Sequence, residues 1–176
     1  NRKKEAIQTL GSQSVSETTS LALSLEYYNG LRLQALIDYP DETVFYQNLC
    51  GFLAQAKEQL EYDRAYLLYR GTDGTISYLA DADYSKERQP GTDYQQITSA
   101  YDQERYTRRC RSILSEQFAG RRKADYVPEI LDGSYITTYL PLEDAQGEVV
   151  AVLGVDAKLK YSDFTQYGPI DFERTT

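Results

Sequence analysis

Two β-rich runs near the C-terminal end limit the fold more than any other feature. They are Tyr135-Ile-Thr-Thr-Tyr-Leu-Pro-Leu142 and Val149-Val-Ala-Val-Leu-Gly-Val-Asp156, joined by Glu143-Asp-Ala-Gln-Gly-Glu148. A short polar turn with Gly near its end, set between two such runs, reads as an antiparallel hairpin. No polar residue interrupts positions 149–154, so this strand suits a central place covered on both faces better than a half-solvated one, which would alternate. Asp156 closes the run. A carboxylate there either caps the next segment or is held beside a pocket, and the residue pattern leaves both open.

Upstream, Ile7, Leu10, Leu21, Leu25, Tyr28, Leu31 and Leu36 recur at three- and four-residue steps until Pro40, predicting one long helix over residues 1–38. At about 1.5 Å per residue it would run near 50 Å. Its middle, 11–20, is polar, so its first half is expected to project or to pair with another helix. Asp41, with Glu42 behind it, opens a second helix bearing Val44, Phe45, Leu49, Phe52, Leu53, Ala56 and Leu60 on one face. The runs 65–69 and 75–79 flank the pair Asp73-Gly74 and predict a first hairpin. A polar loop is expected over 81–94, a helix from Tyr94 or Gln95 to about Phe118, a loop over 125–133, and a short helix at 161–167.

A chain of 176 residues predicts one domain. The excess of 27 acidic over 19 basic residues repels a phosphate backbone and excludes nucleic acid as the expected partner. Arg108, Arg109 and Arg111, then Arg121, Arg122 and Lys123, depart locally from that balance, and read as a solvated face or as a site for an anion or lipid head group. His, Trp and Met are absent. The commonest general base and zinc ligand are therefore missing, and with no nucleophile motif the chain is expected to be no enzyme and to carry no cofactor. The lack of Met predicts a piece of a longer protein. Asp81, Asp83 and Asp93 are too few and too spread for a calcium loop, so a solvated acidic loop is the default. No apolar run approaches the roughly 18 residues of a membrane span. Cys50 and Cys110 fall on separate helices without metal-ligand spacing and read as core thiols, a bridge between them left open. Tyr is abundant, 17 residues against 5 Phe, and combines apolar area with a polar tip suited to recognising small ligands.

The string Y-x-P-L-x-D-x-x-G-x-V-V-A-V-L-G-V-D, on Tyr139, Pro141, Leu142, Asp144, Gly147, 149–154, Val155 and Asp156, resembles the closing hairpin of Cache domains. These are PDC-type, PAS-like sensor modules that bacterial transmembrane receptors hold outside the membrane. The resemblance implies an α+β fold: a central antiparallel sheet of about five strands, a long N-terminal helix and flanking helices. It divides the single domain into a signalling helix (1–38), a ligand-binding core (41–160) and a C-terminal segment toward the membrane (161–176). The implied function is extracytoplasmic binding of a small molecule, such as an amino acid, amine or carboxylate, for a histidine kinase, diguanylate cyclase or chemoreceptor. Flanking transmembrane helices and a homodimer through the N-terminal helix are implied with it.

In that layout the ligand site lies between the sheet and the segments linking the two hairpins. Its candidate residues are Tyr78, Asp81, Tyr84, Tyr94, Tyr101, Arg105, Tyr126, Tyr135, Thr137, Tyr139 and Asp156. Strand alternation sets Tyr135, Thr137 and Tyr139 on one face. Asp156 matches the aspartate with which many Cache domains hold a ligand ammonium, a charge-assisted contact. The Arg-x-Trp-Tyr element of amino-acid-binding members has no counterpart in a chain without Trp. A cytosolic GAF- or PAS-type regulatory domain that binds a nucleotide or metabolite is the alternative.

Overall fold

A computed structural model describes residues 2–29, 32–39, 43–83, 89–94, 108–129 and 135–158. Five strands, β1 Arg64–Arg70, β2 Ile76–Asp81, β3 Asp125–Glu129, β4 Tyr135–Glu143 and β5 Val149–Lys158, form one antiparallel sheet in the order β2-β1-β5-β4-β3. β5 therefore sits in the middle, as its uninterrupted apolar run predicts, and its residues 151–156 are all buried. Both hairpins close by the same turn and bulge. Gly147 donates its N–H to the Asp144 carbonyl at 3.0 Å and Gly74 donates to the Gly71 carbonyl at 3.0 Å. Each of these two glycines has a left-handed φ, 80° and 85°, which a side chain would disfavour.

The helices α1 Arg2–Asn29, α2 Arg32–Asp38 and α3 Thr43–Gln59 cover one face of the sheet, and α4 Arg108–Phe118 lies on the other. The first face is aliphatic: Leu21, Leu25, Leu33, Leu36, Leu49 and Leu53 pack against Ala65, Leu67, Leu140, Ala151, Leu153 and Val155. Each fully buried Leu there contributes about 1.5–3 kcal/mol. On the second face Cys110, Ile113, Leu114 and Phe118 meet Tyr66, Leu68, Ile76, Tyr78 and Val152. The architecture is the PAS-like α+β arrangement.

Several elements differ from the sequence reading. The first half of α1 does not project; it lies on β3 and β4. Ala6, Gly11, Ser14 and Thr18 are its buried positions. Small side chains bring the backbone close, and the hydroxyls find partners: Ser14 Oγ and Thr138 Oγ1 share a hydrogen bond at 2.7 Å, and Thr18 Oγ1 donates to the Ser14 carbonyl at 2.7 Å. A Cβ at Gly11 would stand 2.5 Å from the Tyr126 ring. The region read as a loop from 125 onward begins as the edge strand β3, whose Pro128 is tolerated because an edge needs no second row of donors. Val44 is 66 % exposed and Leu60 36 %, so neither joins the buried face of α3. Within 89–94 the chain runs along the outer edge of β2, with Tyr78 N–H donating to the Thr92 carbonyl at 2.9 Å and Gly91 N–H to the Tyr78 carbonyl at 3.0 Å. That pairing blunts an open sheet edge. Cys50 and Cys110 form no disulfide and are buried in the cores of opposite faces. Residues 30 and 31 of the predicted long helix, Asp41 and Glu42, 95–107 and 161–167 lie outside the described residues.

Candidate functional site

Strand alternation sends Arg64, Tyr66 and Leu68 of β1 to the α4 face, and register aligns them with β5: Arg64 opposite Asp156, Tyr66 opposite Gly154, Leu68 opposite Val152. β4 flanks β5 on its other side, with Thr137 opposite Asp156 and Tyr139 opposite Gly154. Gly154 is the gap between two tyrosines. A Cβ at that position would collide with the Tyr66 ring, whose Cζ stands 2.7 Å away, so the missing side chain is what lets the ring lie across the strand.

Four tyrosines then converge. The Tyr66 and Tyr78 rings meet edge to face at 5.6 Å, as do Tyr66 and Tyr139 at 6.5 Å, while Tyr78 and Tyr94 lie tilted to each other at 5.4 Å. All four side chains are fully buried, and each phenol is provided with a polar neighbour. Tyr94 and Tyr139 share a hydrogen bond at 2.8 Å, and Arg64 Nη2 donates to Tyr78 Oη at 2.7 Å. Tyr66 donates to Asp156 Oδ1 at 3.0 Å. It has one proton, so its 3.5 Å approach to Tyr139 Oη is the weaker contact.

Arg64 and Asp156 are the charged centre of the cluster. Arg64 Nη1 stands 3.6 Å from Asp156 Oδ2, and the guanidinium carbon lies 4.9 Å from the centre of the Tyr66 ring. Asp156 is 4 % exposed. Burial above all, then the negative charge of Asp156, pushes the Tyr66 phenol well above its ordinary pKa; burial and then Cys110 do the same for Tyr94. Both are therefore neutral donors near pH 7 rather than phenolate bases. Gln117, fully buried on α4, donates from Nε2 to the carbonyls of Tyr139 at 3.0 Å and Lys123 at 2.9 Å. This fixes the amide, and its Oε1 has no hydrogen-bond partner among the described residues.

Of the sequence candidates, Tyr78, Tyr94, Thr137, Tyr139 and Asp156 meet in this cluster or line it. Tyr135, half-buried and with Lys158 Nζ 5.9 Å from its ring centre, stands at the rim where β4 begins. Tyr126 is on the opposite face, against Gly11 of α1, because its register partner is Thr138 rather than Tyr139. Asp81 is buried at the end of β2, where its Oδ1 accepts the Asp83 N–H at 2.8 Å and its charge acts on the Cys50 thiol of α3. Tyr84, Tyr101 and Arg105 lie outside the described residues. Asp83 pairs with Lys57 at 2.7 Å, and among the described residues no group of three or more His, Cys, Asp or Glu side chains is placed to hold a metal. Sequence reasoning missed Arg64, Tyr66, Gly154 and Gln117. A cation one residue ahead of an apolar run reads as solvated flank; extending the alternation of Tyr66 and Leu68 back by one step would have found Arg64.

No family model matches the chain, and no curated protein matches it in sequence. Solved structures do. The ligand-binding domain of the Pseudomonas aeruginosa amino-acid chemoreceptor PctC, a complex with GABA, is 20 % identical with a TM-score of 0.40, over 93 % of this chain and 64 % of that one. The periplasmic sensory domain of the Campylobacter jejuni chemoreceptor Tlp1 is 13 % identical with a TM-score of 0.37, over 95 % of this chain and 65 % of that one. A light-oxygen-voltage domain is 12 % identical with a TM-score of 0.43, over 64 % and 88 %. No helix among the described residues is long and apolar enough to cross a membrane.

Proposed function

We propose that this domain is a non-catalytic sensor whose ligand is a small zwitterion of the amino-acid class, held on the α4 face with its ammonium at Asp156 and its carboxylate at Arg64. The observation that carries this reading is the Arg64–Asp156 pair, at 3.6 Å, ringed by tyrosine hydroxyls on one side of the sheet. Desolvating two opposite charges costs several kcal/mol per ion, which their attraction only partly offsets, and replacing such a pair by apolar residues is often neutral or stabilising. A zwitterion presents a cation and an anion a few ångströms apart, so it can enter between the two side chains and substitute for each partner's counter-ion without leaving a net buried charge. An amine alone would displace Arg64 from Asp156 and strand the guanidinium. A simple carboxylate would strand Asp156. Selectivity for ligands with both groups follows.

The proposed setting is the extracytoplasmic part of a receptor, with α1 as the output element and as the seat of a homodimer; sedimentation of the purified domain tests the dimer, and a compartment reporter fused to the full-length protein tests the location. Ligand acts only through its different affinity for two arrangements of the cluster.

The direct test is calorimetric titration with amino acids, the matching amines and the matching carboxylates, on the wild type and on Asp156→Asn and Arg64→Met. Zwitterions are expected to bind the wild type at least tenfold tighter than either half-molecule and to lose affinity in both variants. A ligand that binds both variants as well as it binds the wild type would refute the assignment.

A further inference from the structure

The way α3 ends aims a tyrosine at α1. Glu61 takes a left-handed φ of 57°, and both hydrogen bonds that close such a helix end are present: Tyr62 N–H to the Lys57 carbonyl at 2.9 Å and Glu61 N–H to the Glu58 carbonyl at 3.3 Å. The buried Tyr62 then donates its phenol proton to Glu17 Oε2 of α1 at 2.7 Å. Between this turn and α1 lies a cleft of about 330 Å³, at the lower end of the roughly 300–1,000 Å³ typical of ligand sites. We propose that the cleft binds a small aliphatic amine, with the ammonium at Glu17 and the alkyl chain along Leu10, Leu60 and Ile136.

The half-buried Glu17 sets the charge of the ligand. It makes no ion pair among the described residues, and both of its partners are neutral: Tyr62 at Oε2, and Gln13 Nε2 at Oε1, 3.0 Å away. Burial, and then the bond to Glu17, raises the pKa of the Tyr62 phenol, which keeps that donor uncharged. A carboxylate accepts about four hydrogen bonds and two are in use. Glu17 is thus held in one orientation with lone pairs left for an ammonium, which brings N–H donors and the missing counter-charge together. Lys158 also borders the cleft, but it is aligned with Tyr135 across the sheet and its Nζ lies 5.9 Å from the centre of that ring. It forms no ion pair with Glu17. The net charge of −8 favours the approach of a cation.

The walls set the rest of the ligand. Leu10, Gln13, Ser14 and Glu17 follow at three- and four-residue steps and share one face of α1. Opposite them Leu60 is left partly in the open, and Ile136 is buried behind. Apolar surface beside an anchored charge matches a molecule that is cationic at one end and alkyl at the other. An alkyl carboxylate would meet Glu17 with like charge, and an alcohol would bring no counter-charge. Among the described residues no group of three or more His, Cys, Asp or Glu is placed to hold a metal, so a metal cation lacks the ligands that an organic one does not need. This cleft shares no residue with the Arg64–Asp156 cluster and stands whether or not that cluster binds ligand.

The test is an amide-resolved NMR titration of the chain at pH 7 and constant ionic strength with n-butylamine, 1-butanol and butyrate in turn. Saturable shifts confined to residues 10–17, 59–62 and the neighbourhood of Ile136 are expected with the amine and not with the other two. Glu17→Gln, which keeps an oxygen for Tyr62, should weaken that binding at least tenfold. Leu60→Lys, at a solvent-accessible position, puts an ammonium in the cleft and should abolish binding without disturbing the spectrum elsewhere. Asp156→Asn should leave the affinity unchanged. Shifts that do not saturate, butanol binding as tightly as the amine, unchanged affinity in a folded Glu17→Gln or Leu60→Lys, or loss of binding in Asp156→Asn would each overturn the proposal.

Discussion

The two faces of the sheet are built from the same five strands and obey different chemistry. Beneath α1, α2 and α3 the strands present chiefly Ala65, Leu67, Leu140, Ala151, Leu153 and Val155, aliphatic side chains whose contribution is area removed from water, with Thr138, bonded to Ser14, and Asp81, near Cys50 of α3, as buried polar exceptions. Beneath α4 the neighbouring positions of those strands are Arg64, Tyr66, Thr137, Tyr139 and Asp156, each of which needs a polar partner once buried. An apolar face is sufficient to fold a sheet of this kind. The second face therefore carries a desolvation burden that packing alone does not call for, and groups retained at such expense are candidates for binding rather than for stability.

The largest effect expected from testing this contrast is on the aliphatic side. Leu153→Ala, at the centre of the sheet and fully buried, should destabilise the fold by about 4 kcal/mol, as core Leu truncations do. Chemical denaturation measures it, and amino-acid affinity per folded molecule should not change. Asp156→Ala leaves the Arg64 guanidinium and the buried Tyr66 hydroxyl without their carboxylate and should cost about 3 kcal/mol, whereas adding Arg64→Met should recover part of the loss, since the unpaired charge is then gone. If the double variant stays as unstable as the single one, the pair belongs to the stability of the fold and the contrast between the faces collapses. Gly154→Ala, which forces the Tyr66 ring aside, is expected to destabilise by about 2 kcal/mol and to weaken ligand binding as well, read in the same titration.

The effect of pH is small until the pH passes about 10. Tyr66 and Tyr94 on one face, and Tyr62 beside Glu17 on the other, have phenol pKa values raised above the ordinary one near 10. The folded chain then keeps protons that the unfolded chain releases, so stability is complete below about pH 10 and falls as pH rises above it. A midpoint of urea unfolding that stays constant from pH 9 to pH 11 would contradict this.

Much of the fold could be read because it rests on local patterns. The unbroken apolar run of β5 required cover on both faces, and Gly74 and Gly147 marked turns by backbone freedom alone. The approach of α1 to the sheet could not be read that way. Its contact face is Ala6, Gly11, Ser14 and Thr18, residues that a search for an apolar stripe passes over, and whose value depends on a partner more than a hundred positions away in Thr138. β3 escaped notice because Pro128 argues against a strand except at an edge, and an edge is a property of the assembled sheet. At the candidate site, Tyr78, Tyr139 and Asp156 were legible from the hairpins, and Tyr94 from the loop between them. Arg64 was not, since a charge beside a strand looks solvated until the register places it opposite Asp156.

Thr138 and Tyr139 are consecutive residues of β4 that point to opposite sides. The hydroxyl of one is fastened to Ser14 of α1, and the phenol of the other to Tyr94 beyond the sheet. The strand is thus a beam with a linkage bolted to each side, one peptide apart. Any displacement of the beam by a fraction of an ångström is felt at both joints, with no intervening side chain to absorb the slack.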